Sequence, residues 1–182
     1  NKNRQKNHTA LVHLITTFKS MNWQQACPKF LIAGNDNAEF VDEYQKTVID
    51  QAEANDLFKN RTLVNTASKL GPPTLLNTMD IFILTSISEG TPTVIIEALA
   101  CDRPVISPNV GSISEMLEGN SYCLVYDEID PLQIKEHIEK IASANPTVVR
   151  QACLKHFNDK FSFQNCVNAH TKAFNGGLIN NK

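Results

Sequence analysis

The chain lacks a strong excess of charge and any long apolar run. Its 17 Lys and Arg residues stand against 19 Asp and Glu, for a net charge of −2. This balance argues against a nucleic-acid-binding protein, because such proteins depend on phosphate contacts. No apolar run approaches the roughly 18 to 20 residues that span a bilayer, and none near the amino terminus has signal-peptide length. We therefore expect a cytoplasmic protein with no nucleic-acid partner.

Motifs for metal and redox chemistry are also missing. The five cysteines are widely and irregularly spaced, with no C-x-x-C pair: Cys27, Cys101, Cys123, Cys153 and Cys166. Such spacing is typical of reduced, mostly buried thiols in a cytosolic protein. The five histidines form no tight cluster in the sequence. We expect no metal site and no cofactor. No G-x-G-x-x-G follows a predicted strand, which disfavours a dinucleotide-binding dehydrogenase domain.

What the sequence does contain is a regular alternation of short apolar strands and amphipathic helices. Strands are predicted at 29–34, 61–66, 80–86, 104–108 and 122–126. Helices are predicted at 9–21, 38–55, 72–79, 113–119, 130–143, 146–159 and 162–175, with one more ending near Cys101. Strands that are apolar on both faces and separated by helices indicate a parallel sheet covered by helices. We expect one doubly wound, Rossmann-like α/β domain over residues 1–175, followed by a flexible tail at 176–182.

The run "SEGTPTVIIEALA" (88–100) follows the clearest predicted strand, where sheets of this kind bind ligands. Pro92 is expected to preset the first helical turn, since its φ is fixed and it carries no N–H. The N–H groups of Thr93, Val94 and Ile95 would then be unpaired at the helix end. Together with the helix dipole they predict an anion site, most naturally for a phosphate.

Glu97 is the single charged residue of this otherwise apolar helix, and it lies one turn beyond Thr93. An ionised carboxylate only accepts hydrogen bonds, and a ribose diol can donate two. Glu89, in the preceding loop, could accept from hydroxyls on the other side of the phosphate. A nucleotide-sugar would satisfy both carboxylates and the helix end. Two other interpretations stay open: Glu97 pairs with Arg103 or Lys69 in a buried ion pair, and Glu89 is a solvated loop or capping acid.

The segment "DIFILTSISEGTPTVIIEALACDRPVISPNVGSISEML" (80–117) resembles the core of the family-four retaining glycosyltransferases, which have the GT-B fold. The carboxy-terminal domain of that family carries a Glu-x7-Glu motif, here Glu89 and Glu97, an "EALA" helix, here residues 97–100, and a later glutamate, here Glu115. The resemblance extends weakly over most of the chain. It implies the donor-binding half of a GT-B enzyme, with the first strand of the sheet expected ahead of residue 1.

The resemblance also implies a role for each site residue. Glu97 would hold the ribose hydroxyls, Glu89 would contact hydroxyls of the transferred sugar, and Lys6 would neutralise the diphosphate. Glu89 and Lys6 would thus be the catalytic residues. The other donor-binding residues would line the sugar pocket or hold the distal phosphate by their backbone N–H groups: Gly90, Thr91 and Pro92 for the pocket, and Thr93 and Val94 for the phosphate.

The implied reaction is transfer of a hexose-like sugar from a nucleoside diphosphate to a hydroxyl acceptor, with retention and without a metal. The implied partners are the nucleotide-sugar donor, an acceptor-binding amino-terminal domain, and a glycan or lipid acceptor, as in polysaccharide biosynthesis. A longer protein could act at the inner face of a membrane. Two alternatives stay open: a non-catalytic nucleotide-sugar-binding domain, and a GT-B-like nucleotide-sugar epimerase.

The sequence departs from the family just after the motif helix. Asp102 replaces the usual glycine at a position where left-handed backbone geometry favours Gly. We expect some cost in stability there and no effect on the donor site.

Overall fold

The computed structural model describes residues 5–24, 27–34, 43–57, 63–67 and 71–179. The strands are β1 Phe30–Gly34, β2 Leu63–Ala67, β3 Phe82–Ile83, β4 Val105–Pro108 and β5 Leu124–Tyr126. The helices are α1 His8–Ser20, α2 Glu43–Ala54, α3 Pro72–Asn77, α4 Thr93–Ala100, α5 Ile113–Leu117, α6 Pro131–Ser143, α7 Pro146–Phe161 and α8 Phe163–Ile179. The predicted alternation of strands and helices is confirmed.

All strand pairings in the described part of the chain are parallel. β1 pairs with β2, so that Phe30 lies opposite Leu63. β3, β4 and β5 form a second group in that order, with Ile83 opposite Ile106. No pairing joins β1 or β2 to the second group within the described ranges. Parallel strands need crossover connections, and helices supply them here.

The core has two layers, one on each face of the strands. Ile106 of β4 packs in the layer that holds α1 and α6. Its neighbour Val105 packs in the other layer, with α4 and α7. Successive residues of a strand point to opposite faces, so one strand feeds both layers. All four residues of β4 are buried, as expected for a strand of a doubly wound α/β fold, and the predicted fold class is confirmed.

Several predicted boundaries shift. β3 is assigned over two residues rather than 80–86, although Leu84 N–H still donates to the Ile106 carbonyl at 2.9 Å. The helix predicted at 38–55 is seen from Glu43 to Ala54, and residues 35–42 lie outside the described part. α8 continues to Ile179 and so includes residues 176–179 of the predicted tail. The domain boundary itself stays a prediction.

Two helix starts follow the sequence closely. The Asp130 side chain accepts a hydrogen bond from Leu132 N–H, with Pro131 at the first helical position of α6. The Asn145 side chain accepts from Thr147 N–H at the start of α7. Each side chain satisfies one of the N–H groups that a helix start leaves unpaired.

The end of α4 adopts the predicted left-handed turn. Asp102 has φ of 58°, and Arg103 N–H donates back to the Ala98 carbonyl at 2.9 Å, as in a Schellman motif. The Asp102 carboxylate lies 3.3 Å from the buried Arg103 guanidinium. This ion pair offsets part of the expected cost of a residue other than glycine.

Among the described helices, none has both the length and the apolar character needed to cross a bilayer.

Candidate functional site

Lys6 and Glu89 meet at the carboxyl end of β3. Lys6 Nζ lies 2.6 Å from Glu89 Oε1, although the residues are 83 positions apart in the chain. The Lys6 side chain is 45% exposed and that of Glu89 is 12% exposed, so the carboxylate is largely enclosed while the ammonium faces solvent. The structure therefore brings together the two residues predicted to be catalytic.

Backbone contacts hold the segment that carries Lys6. Thr85 Oγ1 donates to the Lys6 carbonyl at 2.9 Å, and Ile87 N–H donates to the Gln5 carbonyl at 2.8 Å. The Gln5 side-chain amide also donates to the Ser88 carbonyl. The flexible lysine side chain thus extends from a fixed point next to the loop that carries Glu89.

The Glu89 carboxyl is held in its ionised form. Partial burial is the largest influence and raises its pKa. The hydrogen bond and the charge of Lys6, with a smaller contribution from the nearby Ser86 hydroxyl, outweigh that effect and leave the pKa below its ordinary value. The buried Ser86 hydroxyl has no partner of normal hydrogen-bond geometry in the described part of the chain, so we attribute the lowering mainly to Lys6. An ionised Glu89 can only accept hydrogen bonds.

The start of α4 presents free backbone donors beside this pair. Pro92 is the extended N-cap residue, with ψ of 107°, rather than part of the first helical turn. Its carbonyl already accepts the first helical bond, from Ile95 N–H at 3.1 Å, as the carbonyl of an N-cap residue does. The prediction of three unpaired N–H groups is therefore wrong for Ile95. The N–H groups of Thr93 and Val94 have no acceptor among the described residues.

The remaining pocket residues lie in the loop before α4. Gly90, Thr91 and Thr93 are exposed, and Pro92 is buried. An exposed Gly-Thr pair directly before free helix N–H groups leaves room for a polar ligand to reach the backbone.

Two residues that sequence analysis left without a role hold this loop in place. Gly111 has φ of +59°, and a Cβ built on it would fall well under 3.0 Å from the Glu89 and Gly90 carbonyl oxygens. Ser112 N–H donates to the Gly90 carbonyl at 3.0 Å, and Ser112 Oγ lies 3.1 Å from Thr91 Oγ1. The dipeptide Gly-Ser soon after a strand is the sequence signal that could have identified them, since only glycine permits so close a backbone approach.

Glu97 lies on α4, one turn beyond Thr93, and is half-buried. Its carboxylate makes no hydrogen bond or ion pair with any residue in the described ranges. Arg103 contacts Asp102 and the Asn77 side chain instead, the latter at 3.5 Å. The interpretation of a Glu97–Arg103 ion pair is therefore wrong, and Lys69 lies outside the described residues. A half-buried carboxylate without a protein partner is a ready acceptor for ligand hydroxyls.

Known proteins share this sequence pattern. A family model described as "Glycosyl transferases group 1" matches residues 2–152. The chain belongs to this family. The chain is also 48% identical over 46 residues to a protein named putative teichuronic acid biosynthesis glycosyltransferase TuaC, of Bacillus subtilis. That match covers 25% of the chain and 12% of TuaC.

Solved glycosyltransferase structures share its fold. Anabaena HepE, in complex with UDP and glucose, superposes with a TM-score of 0.73 at 17% identity, over 93% of the chain and 45% of HepE. The carboxy-terminal domain of the group 1 glycosyltransferase LpcC from Francisella tularensis gives a TM-score of 0.67 at 14% identity, over 88% of the chain and 82% of that domain. The chain therefore has the fold of one half of a GT-B protein, and it spans less than half of HepE.

In the described part of the chain, no three or more His, Cys, Asp or Glu side chains lie close enough together to hold a metal ion. That the protein needs neither a metal nor another cofactor stays a prediction.

Proposed function

We propose that the chain is the donor-binding domain of a retaining glycosyltransferase, which moves a hexose-like sugar from a nucleoside diphosphate to a hydroxyl acceptor. The observation that carries the proposal is the Lys6–Glu89 pair, 2.6 Å apart beside the open start of α4. A cation, two free helix N–H groups and an ionised acceptor match a diphosphate joined to a sugar.

Each group has a distinct task in this proposal. Lys6 turns from Glu89 to the diphosphate, whose charge it neutralises. The Thr93 and Val94 N–H groups bind the distal phosphate. Glu89, released from Lys6, accepts hydrogen bonds from hydroxyls of the sugar, and Glu97 accepts them from the ribose. Gly90, Thr91 and Pro92 form the wall of the sugar pocket.

Catalysis would depend mainly on stabilising the departing diphosphate. Negative charge grows on the phosphate oxygen as the bond to the sugar breaks, and donors already in place stabilise that charge without reorganising. Lys6 and the α4 start would supply this stabilisation without a metal ion. The two glutamates would hold hydroxyls, which separates the reaction from hydrolysis by a pair of carboxylates.

The comparisons support a sugar-nucleotide donor and a second domain. HepE was solved with UDP and glucose, which favours a nucleoside diphosphate and a hexose. The name of TuaC favours a role in polysaccharide biosynthesis. Because the chain spans only 45% of HepE, we propose that an amino-terminal domain binds the glycan or lipid acceptor. The proposed setting is the cytoplasm, with the inner face of a membrane possible only for the longer protein.

Calorimetric titration with a panel of nucleoside diphosphates and their sugars tests the proposal. We expect weak but measurable binding to the chain, reduced about 5- to 10-fold by Glu97→Gln, since a hydrogen bond to a neutral amide is weaker than one to a carboxylate by about 1–1.5 kcal/mol. Glu118→Gln, an exposed glutamate at the end of α5, is the matched control and should bind as the wild type does. Equal affinity of Glu97→Gln and wild type for every ligand would contradict the proposal.

A transfer assay tests the role of the second domain. The chain alone should transfer no sugar, and the longer protein should do so with retention at the anomeric carbon. Donor binding without any transfer by the longer protein would favour the non-catalytic alternative.

A further inference from the structure

Two hydroxyl side chains meet at the rim of the sugar pocket proposed above. Ser112 Oγ lies 3.1 Å from Thr91 Oγ1 and 3.1 Å from the Gly90 carbonyl oxygen. Thr91 is exposed and Ser112 is half-buried. Thr91 lies in the loop after β3 and Ser112 in the loop after β4, and these two strands are neighbours in the sheet. The contact therefore lies at the carboxyl edge of the sheet, just before the start of α4.

Each hydroxyl has a single proton, and one arrangement of the two protons satisfies both contacts. The Gly90 carbonyl can only accept, so the Ser112 hydroxyl donates to it. The Thr91 hydroxyl then donates to Ser112 Oγ. The reverse direction, in which Ser112 donates to Thr91, would leave the Ser112 and Gly90 oxygen atoms 3.1 Å apart with no proton between them. The Met116 sulfur, 3.5 Å from Ser112 Oγ, is a weak acceptor and competes poorly with the carbonyl.

This chain of hydrogen bonds makes Thr91 Oγ1 an acceptor. Its proton is bound to Ser112, and its remaining lone pairs stay open because Thr91 is exposed. Glu89, two residues earlier, is ionised and likewise only accepts. A ligand that contacts both groups therefore needs hydrogen-bond donors, and sugar hydroxyls supply them.

We infer that Thr91 Oγ1, held as an acceptor by Ser112, binds one hydroxyl of the transferred sugar and so contributes to the specificity of the site. The inference rests on the donor site proposed above. The site selects a sugar with a free hydroxyl at that position. A deoxy sugar leaves the Thr91 oxygen without a donor, and a sugar oxidised to a carboxylate there places a second negative charge near Glu89. Unpaired polar groups and like charges of this kind reject the wrong ligand.

The test is calorimetric titration of UDP, UDP-glucose and each monodeoxy analogue of UDP-glucose into wild type and Thr91→Val. Valine is close to threonine in shape but has no hydroxyl. Thr91→Val should weaken binding of UDP-glucose by about 2- to 10-fold more than binding of UDP, the range for one neutral hydrogen bond. One monodeoxy analogue should show the same loss in wild type and no further loss in Thr91→Val, which identifies the hydroxyl. Thr91→Ser, which keeps the hydroxyl, should restore the wild-type pattern.

A second variant tests the role of Ser112. Ser112→Ala removes the group that takes the Thr91 proton but keeps the Thr91 oxygen. The preference for UDP-glucose over UDP should therefore fall part of the way toward that of Thr91→Val. Ser114→Ala changes an exposed serine of α5. It is the matched control and should keep the wild-type preference.

The possible failures of the inference and of the donor site can be told apart. A wild-type preference for UDP-glucose over UDP in Thr91→Val or in Ser112→Ala would overturn the inference and leave the donor site standing. Equal weakening of UDP and UDP-glucose by Thr91→Val would also overturn it, because Thr91 would then act only by holding the loop. A wild type that binds neither UDP nor UDP-glucose would contradict the proposed function, and the inference with it.

Discussion

Replacing Glu89 with glutamine separates the two tasks that we assign to Lys6 and Glu89. In the free protein the ion pair joins these two side chains 2.6 Å apart, whereas a bound donor requires Lys6 on the diphosphate and Glu89 on the sugar. Binding therefore has to break the pair. Glu89→Gln removes the ion pair before binding and leaves Lys6 free, so it should affect a nucleoside diphosphate and its sugar differently.

The size of each effect follows from the exposure of the pair. With Lys6 45% exposed, the pair is of the solvent-screened kind, which contributes about 0.2–1 kcal/mol. Its removal should tighten binding of a plain nucleoside diphosphate by about 1.4- to 5-fold. A hydrogen bond to a neutral amide is weaker than one to a carboxylate by about 1–1.5 kcal/mol. The preference for the nucleotide-sugar over the nucleoside diphosphate should therefore fall by about 5- to 10-fold.

The assay is calorimetric titration of UDP and UDP-glucose into wild type, Glu89→Gln and Glu139→Gln. Glu139 forms a Lys–Glu pair with Lys135 at 2.9 Å on α6, away from the start of α4, so its substitution breaks a comparable pair without touching the proposed site. Glu139→Gln should leave both affinities unchanged. Weaker binding of UDP to Glu89→Gln, or an unaltered preference for UDP-glucose, would refute the proposed exchange of partners.

Three further predictions concern stability. Gly111→Ala should lower the free energy of unfolding by about 2 kcal/mol or more in urea denaturation, because the Gly111 backbone is left-handed and crowded by carbonyl oxygens. Gly90→Ala is the control and should cost far less, because no atom lies within 4 Å of the added Cβ. Equal losses in the two variants would contradict the reasoning. Asp102→Asn should lower the free energy of unfolding by about 1–3 kcal/mol in the same assay, because the buried Arg103 loses its carboxylate partner, and it should leave donor affinity unchanged. An unchanged free energy of unfolding would contradict the stabilising role given to the Asp102–Arg103 pair. Because the pKa of Glu89 is lowered in the folded protein, the Lys6–Glu89 pair should stabilise the fold above the ordinary pKa of 4.5, and this contribution should be lost as the pH falls below it. The melting temperatures of wild type and Glu89→Gln should therefore converge on acidification. A difference between the two melting temperatures that grows at low pH would contradict the prediction.

Local patterns in the sequence predicted the elements of the fold and the location of the site. Apolar periodicity indicated the alternation of strands and helices, and side-chain chemistry indicated the caps at Asp130 and the left-handed turn at Asp102. These features depend on residues close together in the chain, so a single sequence contains the information.

The contacts between distant segments could not be predicted in the same way. Lys6 and Glu89 each received a role from the family resemblance, but nothing local places them in contact across 83 positions. The tight first turn at Ile95 depends on the ψ angle of Pro92, which its ring does not fix. Gly111 contacts the Glu89–Gly90 backbone only because β3 and β4 are neighbours in the sheet, so that the loops that follow them meet. The order of the strands could not be read from the sequence.

The most direct test of the central claim is an NMR titration that follows the backbone amides at the start of α4. On addition of UDP, the amide resonances of Thr93 and Val94 should shift strongly downfield, because their free N–H groups gain phosphate oxygens. The amide of Ile95, already bonded to the Pro92 carbonyl, should shift much less and serves as the internal reference. Saturable UDP binding that leaves Thr93 and Val94 unshifted would contradict the proposed donor site.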